Sequence, residues 1–262
     1  MDQEAVLTLF DAQMRRDATP AEPGARVERL GRLVRQTGVA AHDWTSVLWS
    51  DLDESNADEA IAGQKAWLAG PEGAGREFEW KLYSHDHPAD LGKRLLAAGF
   101  TPDPAETLMV AEIAALPSEV ALPDGVRLER VTDAAGIALM ARAAEGAFGT
   151  GLAGLHARLL DQLTRSPDSL TLTVAMAGDE PVCSARVEFY PGTDFAGLWG
   201  GGTVPAWRGK GIYRAMVAHR ARIAADRGFR FLQVDASDES RPILERLGFV
   251  PLSVTTPYLL QG

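Results

Sequence analysis

The sequence predicts an α/β (α+β) chain of two domains, each a mixed central sheet with flanking helices. Three observations carry that prediction. A length of 262 residues with 46% hydrophobic content exceeds one typical domain and supports a substantial core. Residues 117–125, with Pro117, Pro123 and Gly125, break the periodic pattern and mark a linker between a domain at 1–116 and one at 126–262. On both sides of that break, alternating strand-like runs are interleaved with segments of helical spacing.

In the second half, a strand at 126–131 precedes helical segments at about 133–146 and 153–164. Strands follow near 169–177, 182–190 and 196–204, and Gly178-Asp179 and Pro191-Gly192 separate them as hairpin turns. The next helix carries Ile212, Tyr213, Met216, Val217, Ile223 and Ala224 on an apolar face, with Arg214, Arg220 and Arg222 assigned to the solvated one. A strand at 229–235 and a short helix at 240–247 come next. Pro242 suits that helix's first turn and Gly248 its end. The full order is β-α-α-β-β-β-α-β-α-β.

The first half contains a fainter parallel of 196–258. Strands at 46–52, 78–84 and 108–113 alternate with helices at 57–69 and 89–98, the second of which ends at Gly99-Phe100. An unrelated α/β domain is the alternative reading.

Between the strand at 196–204 and the helix after it lies Gly200-Gly201-Gly202-Thr203-Val204-Pro205-Ala206-Trp207-Arg208-Gly209-Lys210-Gly211-Ile212-Tyr213. Glycines here let successive N–H groups and the positive helix end face one anion, and Arg208 and Lys210 add charge. A plain structural corner is the competing reading. A Walker loop is excluded, because Val204 stands where its first glycine is needed and no Ser or Thr follows Lys210. A dinucleotide fingerprint fails because Arg214 occupies the third glycine position.

The run Arg208-Gly209-Lys210-Gly211-Ile212-Tyr213 resembles motif A of the GCN5-related N-acetyltransferase (GNAT) superfamily, R-x-x-G-x-G/A, except at Tyr213, where the family has Gly or Ala. The strand and helix ending at Gly248-Phe249 resemble motif B. The resemblance implies a gap between two splayed strands that holds acyl-CoA, with acetyl-CoA as co-substrate and the pyrophosphate on the glycine turn. It implies cofactor binding by Thr203, Val204, Arg208, Gly209, Lys210, Gly211, Ile212 and Tyr213, with the Tyr213 side chain placed against the pyrophosphate. Thr203 or Val204 would donate a backbone N–H to the thioester oxygen. Ser237 falls where the family has asparagine, and with Ser240 it would bind pantetheine or cap the helix. The family's tyrosine acid is replaced by Leu244.

The resemblance makes the chain a tandem protein with a degenerate N-terminal acetyltransferase-like half. At the turn of that half, Asp51, Asp53, Glu54, Asp58 and Glu59 replace the glycines and would repel a pyrophosphate. The expected activity is acyl transfer to an amine of a small molecule or peptide. A non-catalytic acyl-CoA sensor or assembly module is the alternative. Glu188 is the candidate general base, ahead of Asp235.

The formal charge of −10 and the scattered arginines argue against nucleic acid and anionic lipid as partners. No long apolar run or leader pattern is read, and the one cysteine, Cys183, falls in a strand. The expectation is a cytoplasmic protein without a membrane partner. His85 and His87, two residues apart beside one aspartate, read as helix entry rather than a metal site, and no metal is expected.

Overall fold

A computed structural model describes residues 1–20, 22–117, 120–149 and 153–261. The first half runs α1 (Gln3–Phe10), a π-helical turn (Asp11–Arg16), β1 (Arg26–Leu30), β2 (Leu33–Thr37), β3 (Thr45–Ser50), α2 (Ala57–Leu68), β4 (Glu77–Tyr83), α3 (Leu91–Ala97), β5 (Thr101–Pro102) and β6 (Glu106–Glu112). The second runs β7 (Val126–Val131), α4 (Ala134–Phe148), α5 (Ala153–Arg165), β8 (Leu170–Ala177), β9 (Glu180–Phe189), β10 (Phe195–Thr203), α6 (Ile212–Asp226), β11 (Phe231–Ala236), α7 (Arg241–Leu247) and β12 (Val250–Gln261). The expected elements all appear. α1, its π-helical extension and the β1–β2 hairpin are additions that the sequence pattern does not announce.

Two compact units emerge, and they interleave along the chain. The first is Met1–Met109 with Asp235–Ile243 and Val250–Gly262, and the second is Val110–Val234 with Leu244–Phe249. A single linker at 117–125 does not describe this grouping. The reason is strand pairing: β12 runs antiparallel to β4 from Thr255↔Tyr83 to Gln261↔Glu77, so the C-terminal segment completes the first unit's sheet.

Within the first unit the sheet order is β1-β2-β3-β4-β12, with β5 also on β12. One face is covered by α2 and α3 over Val47, Ile61, Phe78, Trp80, Leu91 and Leu95, all nearly inaccessible. On the other face, Arg15 of the π-helical turn is buried over the Tyr83 ring, 4.1 Å from its centroid. Its guanidinium donates to both Asp86 oxygens at 2.7 Å, to Asp11 at 2.7 Å and to the Leu48 carbonyl at 2.9 Å. His85 lies in this knot, bridging Asp11 at 2.9 Å and Ser253 at 2.8 Å. It joins the π-helical turn to the sheet rather than opening a helix.

The second unit orders its strands β11-β10-β9-β8-β7, with the end of β6 beside β11. Gly178, at φ +58°, opens the two-residue turn between β8 and β9. The Asp133 side chain caps α4 by accepting the Gly136 N–H at 2.9 Å. Leu170, Leu172, Val174 and Met176 of β8 pack on one side with Ile137, Met140 and Leu159 of α4 and α5. On the other side Val182, Cys183 and Ala185 of β9 meet Ile212 and Met216 of α6. This sandwich fixes β10 and the start of α6, where the candidate site lies. No helix among the described residues is long and apolar enough to cross a membrane.

Candidate functional site

β10 leads through a 3-10 turn (Pro205–Trp207) to Gly209, Lys210 and Gly211, and then into α6. Gly209 at φ +77° and Gly211 at φ +86° flank Lys210. A Cβ on Gly209 would touch nothing within 4 Å, so the dihedral and not crowding selects glycine there. Gly211 caps α6 without a side-chain bond, and the Ala215 N–H donates to the Gly211 carbonyl at 3.0 Å. The Ile212, Tyr213 and Arg214 N–H groups, on the positive end of the helix, have no carbonyl one turn back to accept them.

The two cations of the turn lean on the protein. Arg208 donates through Nε to the Thr203 carbonyl and through Nη2 to the Ala147 carbonyl, each at 3.1 Å, which ties the turn to β10 and α4. The Lys210 ammonium sits 4.2 Å above the Trp207 ring. Both charges stay beside the turn, but Arg208 is a strut as well as a charge.

Beside the turn, β10 and β11 diverge. They pair in parallel only at Phe195↔Phe231, Ala196↔Leu232 and Gly197↔Gln233, and 198–203 of β10 have no partner in that register. A gap therefore opens along β10 toward the glycine turn. The Val204 N–H donates to the Val182 carbonyl on β9 at 3.0 Å. Thr203, opposite Cys183, alternates with it and directs its own N–H and C=O away from β9. Of the two donors expected for the thioester oxygen, Val204 is thus engaged within the sheet.

The three glycines before the turn have separate reasons. The β9–β10 register shifts between Trp199 and Gly202, a bulge in which Gly200 takes φ +58°. A Cβ on Gly201 would come within 3.1 Å of the Tyr213 ring, and one on Gly202 would collide with the Phe148 ring and Ala147. Tyr213 therefore turns inward under β10, and burial raises its phenol pKa. The half-buried ring thus packs beside Gly201, whose missing side chain leaves room for it.

Arg220, which its charge assigns to the solvated face of α6, is instead buried at 1% exposure. Its place one turn after Met216, on the apolar face, is the signal that its charge concealed. Glu188 accepts from Arg186 Nε at 2.6 Å and from the Tyr190 hydroxyl at 3.3 Å, and that hydroxyl accepts the Trp199 indole N–H at 3.2 Å. Arg186, Tyr190 and Trp199 were not singled out as partners of Glu188. Alternation along β9 places 186, 188 and 190 on one face, which is the pattern that links them.

Other expected site residues lie in the first unit. Asp235 is buried and ion-paired with Lys81. Burial works against the Lys81 ammonium, but Asp235, Tyr83 and Glu79 outweigh it and hold its pKa well above the ordinary value. Ser237 and Ser240 bond each other at 3.3 Å, and the Ser240 N–H faces Ser237 Oγ at 3.4 Å, at the entry to α7. Leu244 is fully buried in the second unit.

The first unit repeats the divergence in miniature: β3 and β4 pair in parallel only at Thr45↔Phe78, Ser46↔Glu79 and Val47↔Trp80. The turn that follows is closed on itself. Asp53 accepts from the Ser55 N–H at 2.9 Å and from its hydroxyl, Asn56 Oδ1 accepts the Asp53 N–H at 2.9 Å, and the Asp53 carbonyl takes the Ala57 N–H at 3.1 Å.

Comparison with known proteins agrees with this geometry. Residues 138–249 match the family model of the acetyltransferase (GNAT) family. A GCN5-related N-acetyltransferase from Kribbella flavida superposes with a TM-score of 0.67 at 17% identity, covering 99% of this chain and 94% of its own. A conserved protein of unknown function from Staphylococcus epidermidis gives 0.68 at 17% identity over 92% of this chain and 95% of its own. A tandem GNAT protein from the clavulanic acid biosynthesis pathway gives 0.59 at 14% identity over 99% and 94%. No curated protein matches the sequence. Over residues 138–249 the chain is therefore similar to the acetyltransferases of the GNAT family, and it shares the fold of the solved members.

Proposed function

We propose that the domain transfers an acyl group, acetyl in the first instance, from acyl-CoA to an amine of a small molecule or peptide. The observation that carries this is the opening of β10 from β11 directly beside a glycine turn whose helix-start amides lack partners. The N–H groups of Gly209, Lys210, Gly211, Ile212 and Tyr213 would hold the pyrophosphate, with Arg208 and Lys210 supplying charge beside it. The Thr203 N–H would donate to the thioester oxygen as negative charge develops there. The neutral amine attacks the carbonyl carbon, the C–S bond breaks and the thiolate leaves. Glu188, connected to Arg186 and Tyr190, takes the amine proton directly or through water.

Incubation of the protein with acetyl-CoA and a panel of primary amines, with detection of free thiol, tests this reading. Amine-dependent thiol release is expected, with turnover reduced about 100-fold in Glu188→Gln at unchanged CoA affinity. Full turnover in that variant would remove Glu188 from the mechanism.

The alternative is an acyl-CoA sensor without chemistry. Leu244, buried where the family's acid stands, and the pairing of Glu188 with Arg186 favour it. It predicts CoA binding with no thiol release for any amine. The self-closed turn at Asp53 supports a degenerate N-terminal half that has lost cofactor binding. Cys183, a buried free thiol, suits a reducing cytoplasm.

A further inference from the structure

Among the described residues, Arg220 is the most deeply buried arginine of the second unit, and no carboxylate pairs with it. It donates through Nε to the Met216 carbonyl of its own helix and through Nη1 to the Arg186 carbonyl of β9, both at 3.1 Å. The ionisable groups that face it are the Tyr213 phenol, the Cys183 thiol and the Arg186 guanidinium. None of these is an anion near neutral pH, and burial lowers the Arg220 pKa. A buried cation without an anion is costly, and an apolar residue of similar volume in its place is often neutral or stabilising. What an arginine supplies here that an apolar residue would not is its directional donors.

Those donors meet the β10 bulge. Arg186 is the last β9 residue in register, opposite Trp199, before the ladder shifts by one at Gly202. Its carbonyl takes Nη1 of Arg220 at that shift. Arg220 Nη2 lies 3.4 Å from where a Cβ of Gly201 would stand, and the Tyr213 ring 3.1 Å from the same point. Gly201 is bare on that face, and Tyr213 and Arg220 fill the space. The departure from the family motif at Tyr213 and the buried charge at Arg220 thus belong to one arrangement.

We propose that Arg220 is a positioning residue that braces the β10 bulge from beneath, fixing 200–203 so that the Thr203 N–H is aimed into the β10–β11 gap. The consequence for acyl transfer rests on the function proposed above. The bracing itself does not, and the two are read separately.

The test compares wild type with Arg220→Met and Arg220→Lys by amide exchange at 200–203, CoA calorimetry, and acetyl-CoA turnover with the amine panel. Arg220→Met is expected to keep CoA affinity within about two-fold, to speed exchange at 200–203 at least ten-fold while other β9 and β10 amides hold, and to lower kcat at least ten-fold with little change in the KM for acetyl-CoA. Arg220→Lys, which keeps a donor, should recover part of both losses. A merely structural role predicts uniform loss of protection and unchanged kcat per folded molecule. Unchanged exchange at 200–203 in Arg220→Met overturns the proposal, as does unchanged kcat. Should Arg220→Met fail to fold, wild-type exchange and kcat in Arg220→Lys overturn it equally. If wild type shows no turnover at all, the function reading fails and the exchange comparison still decides the bracing.

Discussion

Glu106 lies near Asp235 and Glu79 on the unit-one sheet, and the Lys81 ammonium only partly offsets their charge. Burial and the nearby charge of Asp235 push Glu106 up to about 7, against an ordinary 4.5. Between those values the folded state binds the proton that the unfolded chain has released. Stability is therefore fullest below about pH 4.5 and falls as pH rises through 7. Glu106→Gln should flatten that decline and be the more stable protein at pH 8, as read by denaturant midpoints at pH 5 and 8. Parallel slopes for the two proteins would remove Glu106 as the cause. Tyr213 carries a second prediction at this scale. Because its ring packs under Gly201, Tyr213→Ala should cost about 3 kcal/mol of stability through lost packing. CoA affinity per folded molecule should stay close to wild type. A large gain in affinity would instead mean that the ring obstructs the anion.

Among elements, the π-helical turn after α1 is held by one buried ion cluster rather than by a broad apolar face. Asp86→Asn removes the bidentate partner of Arg15 and leaves that guanidinium buried with Asp11 alone. A loss of about 3 kcal/mol in chemical denaturation is expected, with the exchange of α1 amides affected first. A loss below about 0.5 kcal/mol would show that water replaces the carboxylate, as at exposed ion pairs. This turn was not legible in the sequence because Arg15 reads as a surface residue until its distant partners, Leu48, Asp86 and His85, are known. The hairpin β1–β2 hides for a related reason, since Arg26, Glu28, Arg29 and Arg35 within its short strands mask their pattern. β8, β9, β10 and α6 were legible because glycine turns and clean periodicities are local signals. The extent of the β10–β11 pairing was not, because a register belongs to two strands at once.

At the level of the molecule, strand pairing crosses the division that composition suggests. The Pro-rich stretch at 117–125 reads as a boundary, yet β12 completes the sheet beside β4. No local pattern reports a partner some 170 residues away. Removing 250–262 should therefore expose the β4 edge and strip amide protection from the first unit, although all of 138–249 remains. Full protection of β3 and β4 in that truncation would show that the first unit is stable without its C-terminal strand. The backbone form of the glycine turn, by contrast, was readable from residue types alone, since Gly209 and Gly211 both take positive φ. What the sequence could not supply was the direction of Arg208, Tyr213 and Arg220, each fixed by a carbonyl or a bare glycine elsewhere in the fold.

Whether the turn at Gly209, Lys210 and Gly211 holds the CoA pyrophosphate is decided by calorimetric titration of CoA into wild type, Gly211→Asn and Gly211→Asp. Asn and Asp have similar size and tolerance of positive φ and differ in charge. A pyrophosphate on this turn means measurable binding by wild type, a modest loss in Gly211→Asn, and at least ten-fold weaker binding in Gly211→Asp than in Gly211→Asn, a difference that shrinks with added salt. Equal affinities for the two variants, or no binding by wild type, would contradict it.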